Sequence, residues 1–195
     1  MQTASATRGR ARSENSRQAI LSAAVKIIGA DGYGALSIER IARESGTGKQ
    51  TIYRWWPTKA DVVMEALLRK VELNIPIPDN GTLKADLTEF LATSLRVARM
   101  PHVPELLRSL AAEAQLDAEF APRFRDTFIE NRRAALTTIL ARHQPDGGGS
   151  SMRTSTLVDV IFGVIWYRLL ILPTADDYDT LAGELTALVV AGSDL

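Results

Sequence analysis

The stretch GKQTIYRWWPTK, Gly48 to Lys59, places three basic and three aromatic side chains within twelve positions. Lys49 and Arg54 carry donors suited to the acceptor edge of guanine, and Gln50 can bond adenine through both of its amide atoms. The hydroxyls of Thr51 and Tyr53 suit phosphate oxygens. Lys59 falls at the start of a helix, whose free amides attract the same group. This set of residue types points to recognition of a nucleic acid.

Such side chains read bases only from a rigid support. Ser37 stands before Ile38, Ile41 and Ala42, with Glu39 and Arg40 in the first turn, so it predicts an N-cap and a helix ending near Glu44 or Ser45. Gly46 then supplies a turn that tolerates positive φ, and a second helix is predicted from Lys49 to Trp56, closed by Pro57. Ala42 lets the two helices approach, and Ile38, Ile41 and Ile52 close a small core between them. The segment Ile38 to Trp55 has the logic of a helix-turn-helix, its second helix able to enter a major groove. Thr58 with Asp61 starts a further helix, with Val63, Ala66, Leu67 and Val71 on one face.

Upstream, Ile20, Ala23, Ala24 and Ile27 mark a helix from about Asn15 to Ala30, ended by Asp31-Gly32. The residues before it, with Arg8, Arg10 and Arg12 among small polar ones, predict a disordered basic arm over 1–14. Residues 1–60 hold 10 lysines and arginines against 4 acidic residues, and residues 61–195 hold 13 against 19. A basic head on an acidic body suggests that the head alone meets a polyanion, although solvated charges also cluster by chance.

The body is predicted to be helical as well. After NIPIPDNG, a loop with two prolines and an Asn-Gly step, the helical period returns at Leu83, Leu87, Phe90 and Leu91. It returns again at Leu106, Leu107 and Leu110, and then through Phe124, Phe128, Leu136, Ile139 and Leu140. A Gly-rich connection, His143 to Ser151, precedes two final helices, about Thr154 to Leu172 and Asp176 to Ala191. The fold class is therefore all-α, with about nine helices: a three-helix head at 15–60, a connecting helix and linker at 61–81, and a body at 82–195. The chain of 195 residues, 46% apolar, suffices for a core, and the absence of cysteine removes disulfides, thiolate metal sites and cysteine nucleophiles. With no signal peptide or membrane span read, a cytoplasmic setting is expected.

The run SIERIARESGTGKQTIYRWWPTKADVVMEAL, with the helix before it, resembles the TetR family of bacterial transcriptional repressors. The similarity covers about residues 15 to 70 and rests on a small residue, a turn glycine, Thr-aliphatic-Tyr and an aromatic-Pro-x-Lys close. It implies an all-α homodimer with two DNA-binding heads and a larger C-terminal body for ligand binding and dimerisation. By position it implies base contacts for Lys49, Gln50 and Arg54, and phosphate contacts for Ser37, Thr51, Tyr53, Trp55 and Lys59. Trp56 takes the place of the family's buried aromatic. Gly48 departs from the serine or threonine with which many members begin this helix, and Gln50 stands where small residues are common.

The resemblance also suggests that the last two helices pair with their twins through Leu157, Ile161, Val164, Ile165, Leu181, Leu185 and Leu188. Burial within one chain explains much of the same pattern. Phe90, Met100, Phe124, Phe128, Phe162, Trp166 and Tyr167 are candidates for a largely apolar effector pocket, and each also suits a core. Arg168 either pairs with a carboxylate such as Asp159 or marks the dimer rim. The expected partners are double-stranded operator DNA, a second copy and an unidentified small molecule; no cofactor, metal or catalytic residue is expected.

Two other readings compete. One is a DNA-binding regulator that uses a protein partner or activates, without a small ligand. The other is a small helical enzyme, for which the sequence offers only His102 and His143, far apart, and Asp176, Asp177 and Asp179. Those aspartates equally compensate a helix dipole. Gly147 to Gly149 lacks the strand, lysine and hydroxyl residue of a phosphate loop.

Overall fold

Every described element of the chain is helical, and no strand occurs among the described residues. The computed structural model describes residues 3–71, 77–143, 153–172 and 177–193, with the backbone alone for 3–12 and 192–193. Nine helices run through these residues: α1 Thr3–Asp31, α2 Ile38–Ser45, α3 Lys49–Tyr53, α4 Lys59–Val71, α5 Leu83–Ala98, α6 Val103–Leu116, α7 over 120–143, α8 Thr154–Leu170 and α9 Tyr178–Ser193. Five residues of α7, Arg125–Ile129, form a π turn between a short and a long α-helical stretch.

Local chemistry sets most boundaries. The Ser37 hydroxyl accepts from the Arg40 amide at 3.1 Å, and Glu39 lies in the first turn of α2. Gly46 ends that helix in the left-handed region at φ 66°, and Thr47 N donates to the Ala42 carbonyl at 3.1 Å. Thr58 and Asp61 cap α4 reciprocally, the Thr58 amide donating to Asp61 at 3.0 Å and the Asp61 amide to Thr58 at 3.3 Å. Thr82 caps α5 through the Ala85 amide at 3.2 Å. Asp177, one of the aspartates weighed as a cation ligand, accepts from the Asp179 amide at 3.1 Å and the Thr180 hydroxyl at 2.7 Å at the start of α9. Asp176 lies outside the described residues, as do the proline-containing 72–76 and the glycine tract of 144–152.

Three expectations are corrected. The arm expected to be disordered over 1–14 is helical from Thr3, because its Arg, Ala and Ser residues contain no proline and simply extend a helix already nucleated downstream. Helix α3 ends at Tyr53, with Trp55 N bonding back to Ile52 O at 3.0 Å and Trp56 N to the same oxygen at 2.9 Å, so a tightened turn carries the chain to Pro57. The chain also divides into two compact units that are not contiguous in sequence. One joins Met1–Lys70 to Glu105–Phe120, the other joins Val71–Pro104 to Ala121–Leu195, so most of α6 belongs with the head.

In the head, Ile20, Ala24, Leu36, Ile41, Ile52 and Leu67 are buried between α1, α2, α3 and α4. Glu65 on α4 gathers this unit from its edge, accepting from Arg17 at 2.7 Å, Arg69 at 3.1 Å and the Trp56 indole at 2.9 Å. Arg69 reaches on to Glu14 at 2.9 Å, which ties α4 to α1. In the other unit, α5 packs along α9 and against α7, and α7 packs on α8. Their shared core includes Leu87, Phe90, Leu91, Leu136, Ile139, Leu157, Ile161, Leu181 and Leu185.

Candidate functional site

Helix α3, which packs on α2, has one inward residue, Ile52, fully buried, and this fixes its rotation. Lys49, Gln50, Tyr53 and Arg54 are therefore exposed together, and Thr51 and Trp55 are half-buried beside them. Arg54 lies over the Trp55 ring at 5.0 Å, which narrows the orientations its guanidinium samples. Lys49 donates to Glu39 at 2.8 Å; this hydrogen bond holds the Glu39 carboxyl below its usual range and the Lys49 ammonium above its own. Both groups are fully exposed, so a phosphate or a base displaces the pair at little cost.

The adjacent tryptophans part company. Trp56 is buried, its indole bound to Glu65 and Arg17 stacked 5.8 Å from its ring centre, whereas Trp55 meets it edge-on at 5.4 Å and stays at the surface. Gly48 supplies no side-chain cap to α3, yet its carbonyl accepts from Thr51 N at 2.9 Å, so the helix starts at Lys49 as the sequence predicts.

Ser37 is held in its N-cap role, half-buried beside this face. Lys59 is half-buried too: its ammonium donates to the Leu36 carbonyl at 3.3 Å and sits 4.2 Å above the Tyr33 ring. That contact pins the turn between α1 and α2 to the start of α4. The Tyr33 hydroxyl is pushed above the ordinary tyrosine range, first by burial and then by the negative charge of Glu113 on α6. The sequence places α6 wholly in the body and does not reveal this link, because nothing local in α6 marks which unit its apolar face joins.

In the second unit the candidate pocket residues separate. Phe124 and Phe128 stack with their rings 5.7 Å apart and 5° from parallel, and Trp166 meets Phe124 edge-on at 6.4 Å. Phe90 is buried in the core with Arg132 5.4 Å from its ring centre. Phe162 is half-buried against the core, and Met100 is half-buried in the turn that closes α5. Tyr167 instead faces outward, 53% exposed, while Ile161 on the same helix is fully buried. An open groove of about 510 Å³ along α5, lined by Asn80, Thr82, Lys84, Ala85, Thr88, Glu89 and Ala92, contains none of these aromatics.

The residues expected to pair two copies are also sorted by the structure. Leu157, Ile161, Leu181 and Leu185 are buried in the chain's own core, and Val164 and Ile165 are half-buried against it. The three buried leucines and Ile161 face their own chain's core because the most apolar side of each helix packs on its intramolecular neighbours, whereas Val164 and Ile165 keep part of their surface. Leu188, 55% exposed, is the one member of that set left at the surface, and it shares the outer sides of α8 and α9 with Gly163, Tyr167, Leu170, Gly183 and Ala187.

Two charge contacts were not legible in the sequence. Asp159 is bound by Arg133 of α7 at 2.7 Å, so it is not reserved for Arg168. Asp86, fully buried in the first turn of α5, accepts from the Asn80 amide at 2.6 Å and lies 2.8 Å from His143 Nε2 and 3.4 Å from Arg142. Burial opposes its ionisation, but the His143 and Asn80 hydrogen bonds and the Arg142 charge prevail and hold the carboxyl below its usual range. His143 thus closes the loop before α5 onto the end of α7. No described helix is long and apolar enough to cross a membrane, and no cluster of three metal-ligating side chains occurs among the described residues.

The chain is also similar to known proteins. Residues 20–66 match the family model for bacterial regulatory proteins of the tetR family, and residues 77–189 match that for the tetracyclin repressor-like C-terminal domain. The chain is 33% identical to the uncharacterized HTH-type transcriptional regulator YdeS of Bacillus subtilis over 84% of its own length and 83% of that protein. It is 26% identical to the HTH-type transcriptional regulator AqdR of Rhodococcus erythropolis, covering 96% and 90% of the two chains. The crystal structure of the TetR family transcription regulator SCO0332 superposes with a TM-score of 0.70 at 31% identity, covering 91% of this chain and 97% of that one. A rigidly seated recognition helix, the two family models and these relatives together establish that the chain belongs to the TetR family of helix-turn-helix transcriptional regulators, DNA-binding proteins rather than enzymes.

Proposed function

We propose that this regulator is a cytoplasmic repressor that binds a palindromic operator as a homodimer and leaves it when a small, largely apolar effector enters the C-terminal body. The observation that carries the reading is the face of α3, where Lys49, Gln50, Tyr53 and Arg54 are exposed together while Ile52 and Trp56 are buried behind them. In this reading Lys49, Gln50 and Arg54 read bases; Ser37, Thr51, Tyr53, Trp55 and Lys59 hold the backbone. Two such helices must lie about 34 Å apart to enter successive major grooves, and an effector that favours another spacing weakens DNA binding reciprocally.

Dimerisation is assigned to the outer sides of α8 and α9. The small Gly163, Gly183 and Ala187 allow close approach there, and Leu188 and Tyr167 supply apolar area. The effector is assigned to the aromatic cluster of Phe124, Phe128 and Trp166.

An electrophoretic shift with the promoter fragment next to the protein's own gene tests the DNA reading. Binding whose log-log salt slope is several units indicates multiple phosphate contacts. Absence of any shift at low salt with palindromic DNA overturns it. Unchanged operator affinity across a panel of ligands that bind the body overturns effector release alone.

A further inference from the structure

Helix α7 presents one row of residues four apart: Phe124, Phe128, Arg132, Leu136 and Leu140. Positions so spaced share a face. The four apolar members are all buried, and Arg132 stands half-buried in the middle of their row. Its guanidinium lies 5.4 Å from the centre of the Phe90 ring, and no carboxylate pairs with it among the described residues. The neighbouring Arg133 takes both acids within reach, Asp159 at 2.7 Å and Glu130 at 3.8 Å. Arg132 titrates below the ordinary arginine range, and burial is the cause.

An apolar side chain at position 132 would continue the row and remove a desolvated charge. A half-buried cation without a counter-ion is costly, and an aromatic face offsets only part of that cost. The position is thus poorly explained by stability. It lies three residues after the end of the π turn Arg125–Ile129, a type of irregularity that recurs at functional sites, and the turn includes Phe128, which stacks on Phe124.

We propose that Arg132 is the counter-charge for an anionic effector, a carboxylate borne on an apolar ring or chain that lies along Phe124, Phe128 and Trp166. The inference rests on the reading that the body takes a small effector, and it adds the effector's charge. A carboxylate meets a guanidinium through two parallel hydrogen bonds, and the aromatic side chains starting one helical turn away would receive the apolar part. The uncharged analogue leaves Arg132 as it is in the free protein and gains only the apolar contacts.

The test is calorimetric titration of the full chain with benzoate, 2-naphthoate, octanoate and decanoate, each beside its primary amide. The same titrations are run on Arg132→Met and Arg132→Lys, with fluorescence anisotropy of an operator fragment as a second readout. At least one acid is expected to bind ten-fold or more tightly than its amide. Arg132→Met should abolish that preference while keeping amide binding, and Arg132→Lys should restore part of it. The melting temperature of ligand-free Arg132→Met should equal or exceed that of the wild type, which separates loss of the counter-charge from loss of the fold. Equal binding of acid and amide, an acid preference that survives in Arg132→Met, or no binding by any of the four acids overturns the inference. If amides release the operator as well as acids do, effector release stands and the anionic assignment falls. If an acid binds through Arg132 without altering operator affinity, the anionic site stands and effector release falls.

Discussion

Gly46 offers a substitution whose cost has a single source. Its φ of 66° and ψ of 24° lie in the left-handed region, and a Cβ built there meets no atom within 4 Å. Replacing it with alanine therefore introduces no clash, and the whole penalty is the backbone strain of an L-residue at positive φ, about 1–2 kcal/mol. For a chain of this size each kcal/mol lowers the melting temperature by about 2–4 °C, so Gly46→Ala should melt roughly 2–8 °C below the wild type. Asparagine tolerates this conformation better than other side chains, and Gly46→Asn should lose less than Gly46→Ala. Circular dichroism melts of the three full-length proteins at one concentration decide the matter. Alanine within about 1 °C of the wild type, or asparagine as damaging as alanine, would refute the argument that the turn between α2 and α3 depends on left-handed geometry.

Three further outcomes are expected. Tyr53→Phe should weaken operator and nonspecific DNA alike by about 1 kcal/mol for each head, whereas Gln50→Ala should shift preference at one base pair by about 1–3 kcal/mol and leave nonspecific affinity nearly unchanged. Competition binding with single-base operator variants separates the two roles, and identical behaviour of the variants would refute the division. Asp86→Asn should cost about 2–3 kcal/mol at neutral pH by leaving His143 and Arg142 without their buried acceptor. The Asp86 carboxyl titrates lower in the folded chain than in the unfolded one, so its contribution is complete above the unfolded value of about 3.9 and is lost as pH falls through the folded value. Melts of wild type and Asp86→Asn should accordingly converge in strong acid; a constant difference would contradict this. Leu188→Arg, on the outer side of α9, should convert the dimer to a monomer by light scattering without lowering helicity, whereas Leu185→Arg, inside the core, should lose the fold.

The parts of the fold legible in the sequence are those decided within a few residues. Ser37, Gly46, Thr58 with Asp61, and Thr82 each end or begin a helix through bonds to their immediate neighbours, so their types announce their roles. The recognition face was legible for the same reason: Ile52 faces the core and the residues around it turn to solvent. Distant contacts were not. Periodicity shows that a helix has an apolar face but not which surface covers it, so Leu157, Ile161, Leu181 and Leu185 suit a partner and their own core equally in sequence, and it is their own core that buries them. The Asp86 cluster joins residues 57 positions apart, and no residue in the sequence of α7 announces its π turn. Arg132 carries a local signal, a single charge in a row of aromatics and leucines, but its contact with Phe90 joins residues far apart in sequence.

The return of α6 to the DNA-binding unit bears on how such a protein can be taken apart or recombined. A segment cut after Lys70 lacks residues 105–120 of its own compact unit, and a segment beginning at Val71 carries those residues as a foreign insertion. Grafting this head onto another body by a single crossover near residue 71 would thus exchange α6 as well. Hybrids should work best between parents whose α6 helices present matching surfaces to Tyr33, and a nick in the linker should leave the two products associated.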